Sequence, residues 1–418
     1  MQPITRRQFC RITSMSTLAW MASNQFGLAD QIDSSAKKAR AKALIMLWLG
    51  GGPSQIETFD PKPGTMIGGE TKAIQTSVEG IQIAEGLPQL AEQMEHLAVV
   101  RSMVTQEGDH ERGTYLMKTG YRPNPTVVHP ALGAICAAEL PEDGTEIPRY
   151  ISIFSSDKVS RGGYLDEHYD AFRTFDPLES ITDVSSHVTD ERRKRRLDGL
   201  DVVERSFAQR HSAQWKKTLH RETVDRALRM MSSEQLKAFR VEEEPERLRE
   251  AYGHTPFGRG CLAARRLVEV GVRCVEITLH GWDTHANNFA GTATQNKVLD
   301  PAFATLIRDL REHGLFDSTI VLSAGEFGRT PKINPAAGRD HWPTGFSAAL
   351  AGGGIRGGQV IGDTLDGGPK PNEPVSVDDL YATVLTAMGI DPSKKYITPI
   401  GRPIKLSEGA PLKQLLPA

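Results

Sequence analysis

Ala43-Leu-Ile-Met-Leu-Trp-Leu49, followed by Gly50-Gly51-Gly52-Pro53-Ser54, decides the fold. An unbroken apolar run closed by glycines describes a strand buried on both faces that opens into a loop. The same rhythm runs outward from it. Residues 97–101 are a second predicted strand with a short helix over 111–118 behind it, residues 129–140 have helical spacing, and 150–154 read as a strand. Beyond Gly258 come a helix over 262–270, a strand over 273–278, a helix over 298–312, strands over 319–323 and 346–350, and a helix over 377–388. Strands alternating with helices predict an α/β fold, a three-layer sandwich around a mostly parallel central sheet. In such sheets the site lies beyond the carboxyl ends of the strands. Residues 190–252 break the rhythm, being rich in Arg, Lys and Glu with apolar residues three and four apart, and read as a helical insertion on the periphery. Residues 363–374, rich in Gly and Pro, read as a surface loop.

The N-terminus reads as an address. Thr5-Arg6-Arg7-Gln8-Phe9-Cys10 has the twin-arginine arrangement, an apolar stretch over 12–28 follows, and Gly27-Leu28-Ala29 offers small residues for cleavage before Asp30. Residues 1–29 are therefore expected to be a signal peptide, leaving 30–418 as one α/β domain in the periplasm or outside the cell. Asn24 and Gln25 interrupt a stretch already shorter than the roughly 20 apolar residues of a membrane span, so no stable anchor is expected. Of 50 basic and 52 acidic residues in the chain, three arginines fall in the signal, leaving 47 against 52, or −5. That balance excludes nucleic acid as the main partner, which needs a basic face. The run Arg192-Arg-Lys-Arg-Arg196 reads as a solvated helix face. Beyond the signal only Cys136, Cys261 and Cys274 remain, so at most one disulfide can form; Cys261 and Cys274 sit in apolar runs, as small core residues do.

Two stretches, His280-Gly-Trp-Asp283-Thr-His285-Ala-Asn287 and Gly325-Glu326-Phe-Gly-Arg329-Thr-Pro331, each follow a predicted strand, and Arg339-Asp340-His341-Trp342 comes shortly after. Asp283 and His285, two apart, point to one side of an extended segment. With His341 they form a ligand set for zinc, or for manganese, iron or calcium, with Glu326 as a further ligand or a base. Asp340 is either a ligand or the carboxylate that orients His341. Arg329 has the planar fork of an anion clamp, and the alternative for it is an ion pair with Glu326. His280 reads equally as a loop histidine, and Trp282 and Trp342 as walls. Asp109-His110-Glu111-Arg112 opens a helix whose free N–H groups attract anions. Ser54 is a nucleophile candidate without an identifiable base. Glu57 and Asp60 are extra ligands or parts of a turn before Pro61. If the ligand atoms of Asp283, His285 and His341 do not fall within about 4–5 Å of one another, no metal can bind there, since such bonds are only about 2 Å long.

These stretches resemble the exported family labelled domain of unknown function 1501, related to the alkaline phosphatase and sulfatase superfamily. The resemblance covers nearly all of the chain after the signal. It is carried by Leu49-Gly-Gly-Gly-Pro-Ser54 with Phe59-Asp60-Pro-Lys62-Pro, Asp109-His110-Glu-Arg-Gly with Lys118-Thr-Gly120, Gly281-Trp-Asp283-Thr-His285, Gly325-Glu326-Phe-Gly-Arg329-Thr-Pro331 and Asp340-His341-Trp342-Pro343. It implies a three-layer α/β fold and a metal-assisted phospho- or sulfoesterase ancestry. This chain departs from the active superfamily pattern in several places. Gly50 or Gly51 stands where those enzymes carry a metal-binding aspartate, Phe327 replaces a histidine, and His110 falls where the sulfatase nucleophile would sit.

The expectation is thus an exported single-metal hydrolase acting on a small anionic ester or a sulfated or phosphorylated glycan. Asp283, His285 and His341 would bind the ion, and His110 would be acid/base or nucleophile. The alternative is a degenerate relative that grips an anionic glycan or a protein partner without catalysis.

Overall fold

The computed structural model describes residues 41–417, apart from 143, 156–158, 180, 182–183, 185–187, 211–219, 365–367 and 369. The expected signal and its cleavage point lie outside the described residues. Nine strands form one sheet: β1 Ala43–Gly50, β2 Leu97–Val104, β3 Tyr150–Ile153, β4 Phe172–Thr174, β5 Cys274–His280, β6 Thr319–Ala324, β7 Phe346–Gly352, β8 Gln359–Ile361 and β9 Val375–Ser376. The order is β8-β2-β7-β6-β1-β5-β3-β4, with β9 also pairing β2. All pairings are parallel except those of β7, which runs antiparallel to both β2 and β6. β1, β2, β5 and β6 therefore end at the same edge, and β7 starts there.

The apolar run in β1 is unbroken because both faces are covered. Ala43, Ile45, Leu47 and Leu49 enter one core; Leu44, Met46 and Trp48 enter the other. The first core is closed by helices α5 Pro256–Glu269 and α6 Asn288–Glu312. The second is closed by α1 His110–Thr119, α2 Leu132–Glu139 and α7 Val377–Ala387. Each large apolar side chain so buried contributes about 1.5–3 kcal/mol, and the layers make the α/β sandwich predicted from the sequence.

Helices α3 Asp190–Arg210 and α4 His220–Ser232 occupy the charged segment, with Arg192, Lys194, Arg195 and Arg196 exposed. The segment is not wholly peripheral: Phe239, Val241 and Tyr252 are buried in the first core. Cys136, Cys261 and Cys274 are free and buried. Burial pushes the Cys136 thiol up to about 12, as expected of packing rather than reactive cysteines. Among the described residues no helix is long and apolar enough to cross a membrane.

Candidate metal centre

The shared edge gathers the informative loops. Asp109 caps α1, its carboxylate accepting from Arg112 N at 3.1 Å, which makes His110 the first helical residue. At the other end Gly120 adopts φ 74° and caps the helix, so Thr119-Gly120 marks a helix end here. Asp283 and His285 follow β5, and Glu326 follows β6. A two-residue ribbon pairs His341 with Arg329 and Trp342 with Gly328, folding His341 back over the edge. The buried Trp282 anchors the first loop, and Arg339 N bonds Thr284 O at 3.0 Å to tie the second loop to it.

Three histidines and one aspartate meet at this point. His285 Nε2 lies 3.0 Å from His341 Nε2 and 3.2 Å from Asp283 Oδ1; His341 Nε2 is 3.4 Å from the same oxygen. The spacing required for a metal is therefore present. Three ligands around an ion with bonds of about 2.0–2.1 Å form a triangle of this size. His110 adds an overlapping group, with Nε2 at 3.4 Å from Asp283 Oδ2 and the ligand atoms of His110, Asp283 and His341 all within 4.8 Å of one another.

Each ring offers the same nitrogen because its other nitrogen is taken. His110 Nδ1 meets Glu326 Oε1 at 2.6 Å, His285 Nδ1 meets Asp340 Oδ1 at 3.1 Å, and His341 Nδ1 meets the Gly108 carbonyl at 2.8 Å. Carboxylates and carbonyls only accept, so each Nδ1 donates there and each Nε2 is turned to the shared space, free to take an ion when the ring is neutral. His110 Nε2 is buried and makes no hydrogen bond among the described residues.

The charges follow. Glu326 raises the His110 pKa against the opposing effect of burial. Burial lowers that of His341, with the Gly108 carbonyl pulling the other way. Burial opposes ionisation of Asp283, but Arg329 outweighs it and holds the carboxyl below its usual range. The hydrogen bond from His285, then that from Asn334, does the same for Asp340.

Several residues take places other than those read from the sequence. Glu326 is buried behind His110, its Oε1 meeting His110 Nδ1 and also accepting from Gly51 N at 2.9 Å, so it backs the His110 ring. Asp340 stands behind His285, not His341. Arg329 is fully buried and is no open anion clamp: it donates to the carbonyls of Gly51, Gly52 and Arg339 and to Asp283 Oδ1 at 2.6 Å. Its partner is Asp283, not Glu326. His110 faces the ligand set, which removes it from the role of free nucleophile. Ser54 is buried, and His280 turns away to the Phe154 carbonyl at 3.2 Å. Glu57 braces Arg339 at 2.8 Å and Asn288 at 2.8 Å; Asp60 holds Lys62 at 3.0 Å and Thr364 N at 3.0 Å. Both are structural. Phe327 is buried against both His110 and His341, its ring 5.0 and 4.5 Å from theirs.

No side chain fits at Gly51. Its φ is +116°, and a Cβ there would lie 2.5 Å from Asp283 N. Gly51→Ala is expected to cost on the order of 1–3 kcal/mol and to displace Asp283. Denaturant midpoints check the first effect and metal affinity the second; an unchanged midpoint would refute it.

The fold and the edge cluster thus define an α/β protein with a histidine-rich candidate metal centre. Residues 41–416 match the family described as Protein of unknown function (DUF1501), and the chain belongs to that family. Comparison with curated proteins gave no match. Among solved structures it is similar to the lipoteichoic acid synthase LtaP from Listeria monocytogenes (9% identity, 85% of this chain and 74% of that one, TM-score 0.39). It is also similar to the PsFucS1 sulfatase from Pseudoalteromonas sp. (13%, 88% and 71%, 0.37). A third likeness is to the alkaline phosphatase from the Antarctic bacterium TAB5 (12%, 84% and 99%, 0.35). At these identities and TM-scores none of the three bears on what this chain does.

Proposed function

We propose that the protein is an exported, metal-dependent hydrolase of phosphate or sulfate esters, its ion held by Asp283, His285 and His341 with His110 completing the set. The supporting observation is that the His285 and His341 rings both turn Nε2 toward Asp283 Oδ1, the three atoms lying 3.0–3.4 Å from one another, the size of a ligand triangle. Asp340, Glu326 and the Gly108 carbonyl hold the rings in their orientation. Arg329 keeps Asp283 ionised without filling the space. A divalent ion supplies a Lewis acid for a phosphoryl or sulfuryl oxygen and lowers the pKa of water. Zinc with four protein ligands would be closed to substrate, whereas manganese or iron with five or six ligands keeps room for it. The sequence resemblance supplies the ester class, and the twin-arginine segment the export.

The test is metal content of the mature protein together with hydrolysis of p-nitrophenyl phosphate and p-nitrophenyl sulfate. About one equivalent is expected from this set, with hydrolysis lost on chelation and restored by the ion. A folded wild type without metal would sink the proposal. Metal without turnover would favour the second reading, a binding protein. Two observations point that way: Arg329 is spent on protein oxygens, and His110 is turned to the ligand set.

A further inference from the structure

A cavity of about 750 Å³ opens near the C-terminal end of α1, within the ~300–1,000 Å³ of small-molecule sites. Two elements join it to the candidate metal centre. α1 carries His110 at its start and lines the cavity with Leu116 and Gly120, about 9–15 Å further along the axis at 1.5 Å per residue. The stretch from His341 likewise ends at Thr344 in the cavity wall.

The lining combines an apolar floor with polar groups that lack protein partners. Leu116, Val377 and Ile404 supply apolar surface. Tyr121 stacks face to face on His129, with ring centroids 4.5 Å apart and planes at 7°, making a flat rigid wall. The Tyr115 hydroxyl accepts from His129 N at 2.8 Å and shares a hydrogen bond with His129 Nδ1 at 3.0 Å. That leaves His129 Nε2 as the ring nitrogen without a hydrogen-bond partner among the described residues. Burial, then the charge of Arg402, lowers the His129 pKa to about 4, so the ring stays neutral. Arg402 and Lys370 line the same space, are exposed, and have no ion-pair partner among the described residues. The Asp378 carboxylate also lines it and accepts no hydrogen bond from a described residue.

We propose that this cavity is a subsite for a sugar unit bearing a sulfate, phosphate or carboxylate group, seated further along α1 than the ester site. The proposal rests on the hydrolase reading only for the neighbouring chemistry. A sugar's hydroxyls both donate and accept, so they can satisfy Asp378 and His129 Nε2, while the CH face of the ring lies on apolar and aromatic surface. Of the other charged lining residues Arg122 is paired with Glu107 and Glu408 with Lys405, so Lys370 and Arg402 stand against Asp378 and favour a negative substituent. A purely apolar ligand would leave Asp378 and His129 Nε2 without partners.

The test is calorimetric binding of sulfated maltotetraose to the mature protein, with maltotetraose, inorganic sulfate and adenosine monophosphate as comparisons. Saturable binding is expected only for the sulfated sugar. Arg402→Gln should weaken it about 10- to 100-fold, the range of one charge-assisted hydrogen bond, with metal content unchanged. Lys370→Gln should weaken it less. Equal affinity in both variants overturns the proposal, as does tighter binding of the nucleotide. It is also overturned if binding survives in Arg402→Gln but vanishes in His285→Ala/His341→Ala, which would put the anion at the metal centre. Cavity binding without any ester turnover would leave this subsite standing and remove the hydrolase reading.

Discussion

The mature protein carrying His285→Ala together with His341→Ala is expected to hold less than about a tenth of an equivalent of transition metal, where wild type holds about one. The two nitrogens are 3.0 Å apart and each is within 3.4 Å of Asp283 Oδ1, so the pair supplies two corners of the smallest ligand triangle. Without them Asp283 and His110 remain, too few to compete with water for a divalent ion. Glu326→Gln should behave differently. The amide oxygen still accepts from His110 Nδ1, the ligand count is intact, and affinity should fall only by about 10- to 100-fold, as for other residues that orient a ligand. A thermal shift gives an independent readout. An ion at a thousand times its dissociation constant stabilises the folded state by about 4 kcal/mol, a gain that should vanish in the double variant and persist at higher metal concentration in Glu326→Gln. Stoichiometric metal in the double variant would mean that the ion sits elsewhere.

How much of this was legible depended on what kind of information each feature needs. β1 was readable because burial on both faces leaves an unbroken apolar run. The loop residues after β5 and β6 were readable because parallel strands deliver their carboxyl ends to one edge. Helix α6 begins ten residues before the predicted start of 298, at Asn288, because its first turns are held by buried polar contacts. Asn288 Nδ2 bonds Glu57 Oε2 at 2.8 Å and Asn296 Nδ2 bonds the Glu57 carbonyl at 2.9 Å, and apolar periodicity is blind to both. Strand direction was equally hidden: nothing in Phe346–Gly352 distinguishes the antiparallel strand from its neighbours.

The site shows the same division. Asp283, His285 and His341 could be grouped because short segments carry them to one edge. His110 lies 173 positions before Asp283, and its approach depends on β2 and α1 together. The available clue was Asp109, whose capping role puts His110 on the first turn of a helix just past a strand end. For Arg329 the sequence gives a charge but not its partners. Three of those partners are backbone carbonyls, visible only once the loops are folded.

Lys118→Met alone is expected to cost about 3–5 kcal/mol of folding stability, the usual consequence of leaving a buried charge, here that of Glu276, without its counterpart, and Glu276→Leu alone is also expected to be destabilising. Lys118 Nζ and Glu276 Oε1 are 2.7 Å apart, with the side chains 1% and 2% exposed. Glu276 also accepts from Tyr150 Oη at 3.1 Å and Ser152 Oγ at 3.2 Å, and Lys118 Nζ sits 4.8 Å from the Trp48 ring centre. The pair links α1 to β5, the two elements that bring His110 and Asp283 together, so its loss should also lower metal affinity. The combined Lys118→Met/Glu276→Leu variant separates charge from packing: it removes both ions, and most of the lost stability should return. Denaturant midpoints of the four proteins close the cycle. A single-variant cost below about 1 kcal/mol would show that water reaches the pair. A double variant as unstable as the singles would place the cost in packing around Trp48 and Tyr150 instead of in the unpaired ion.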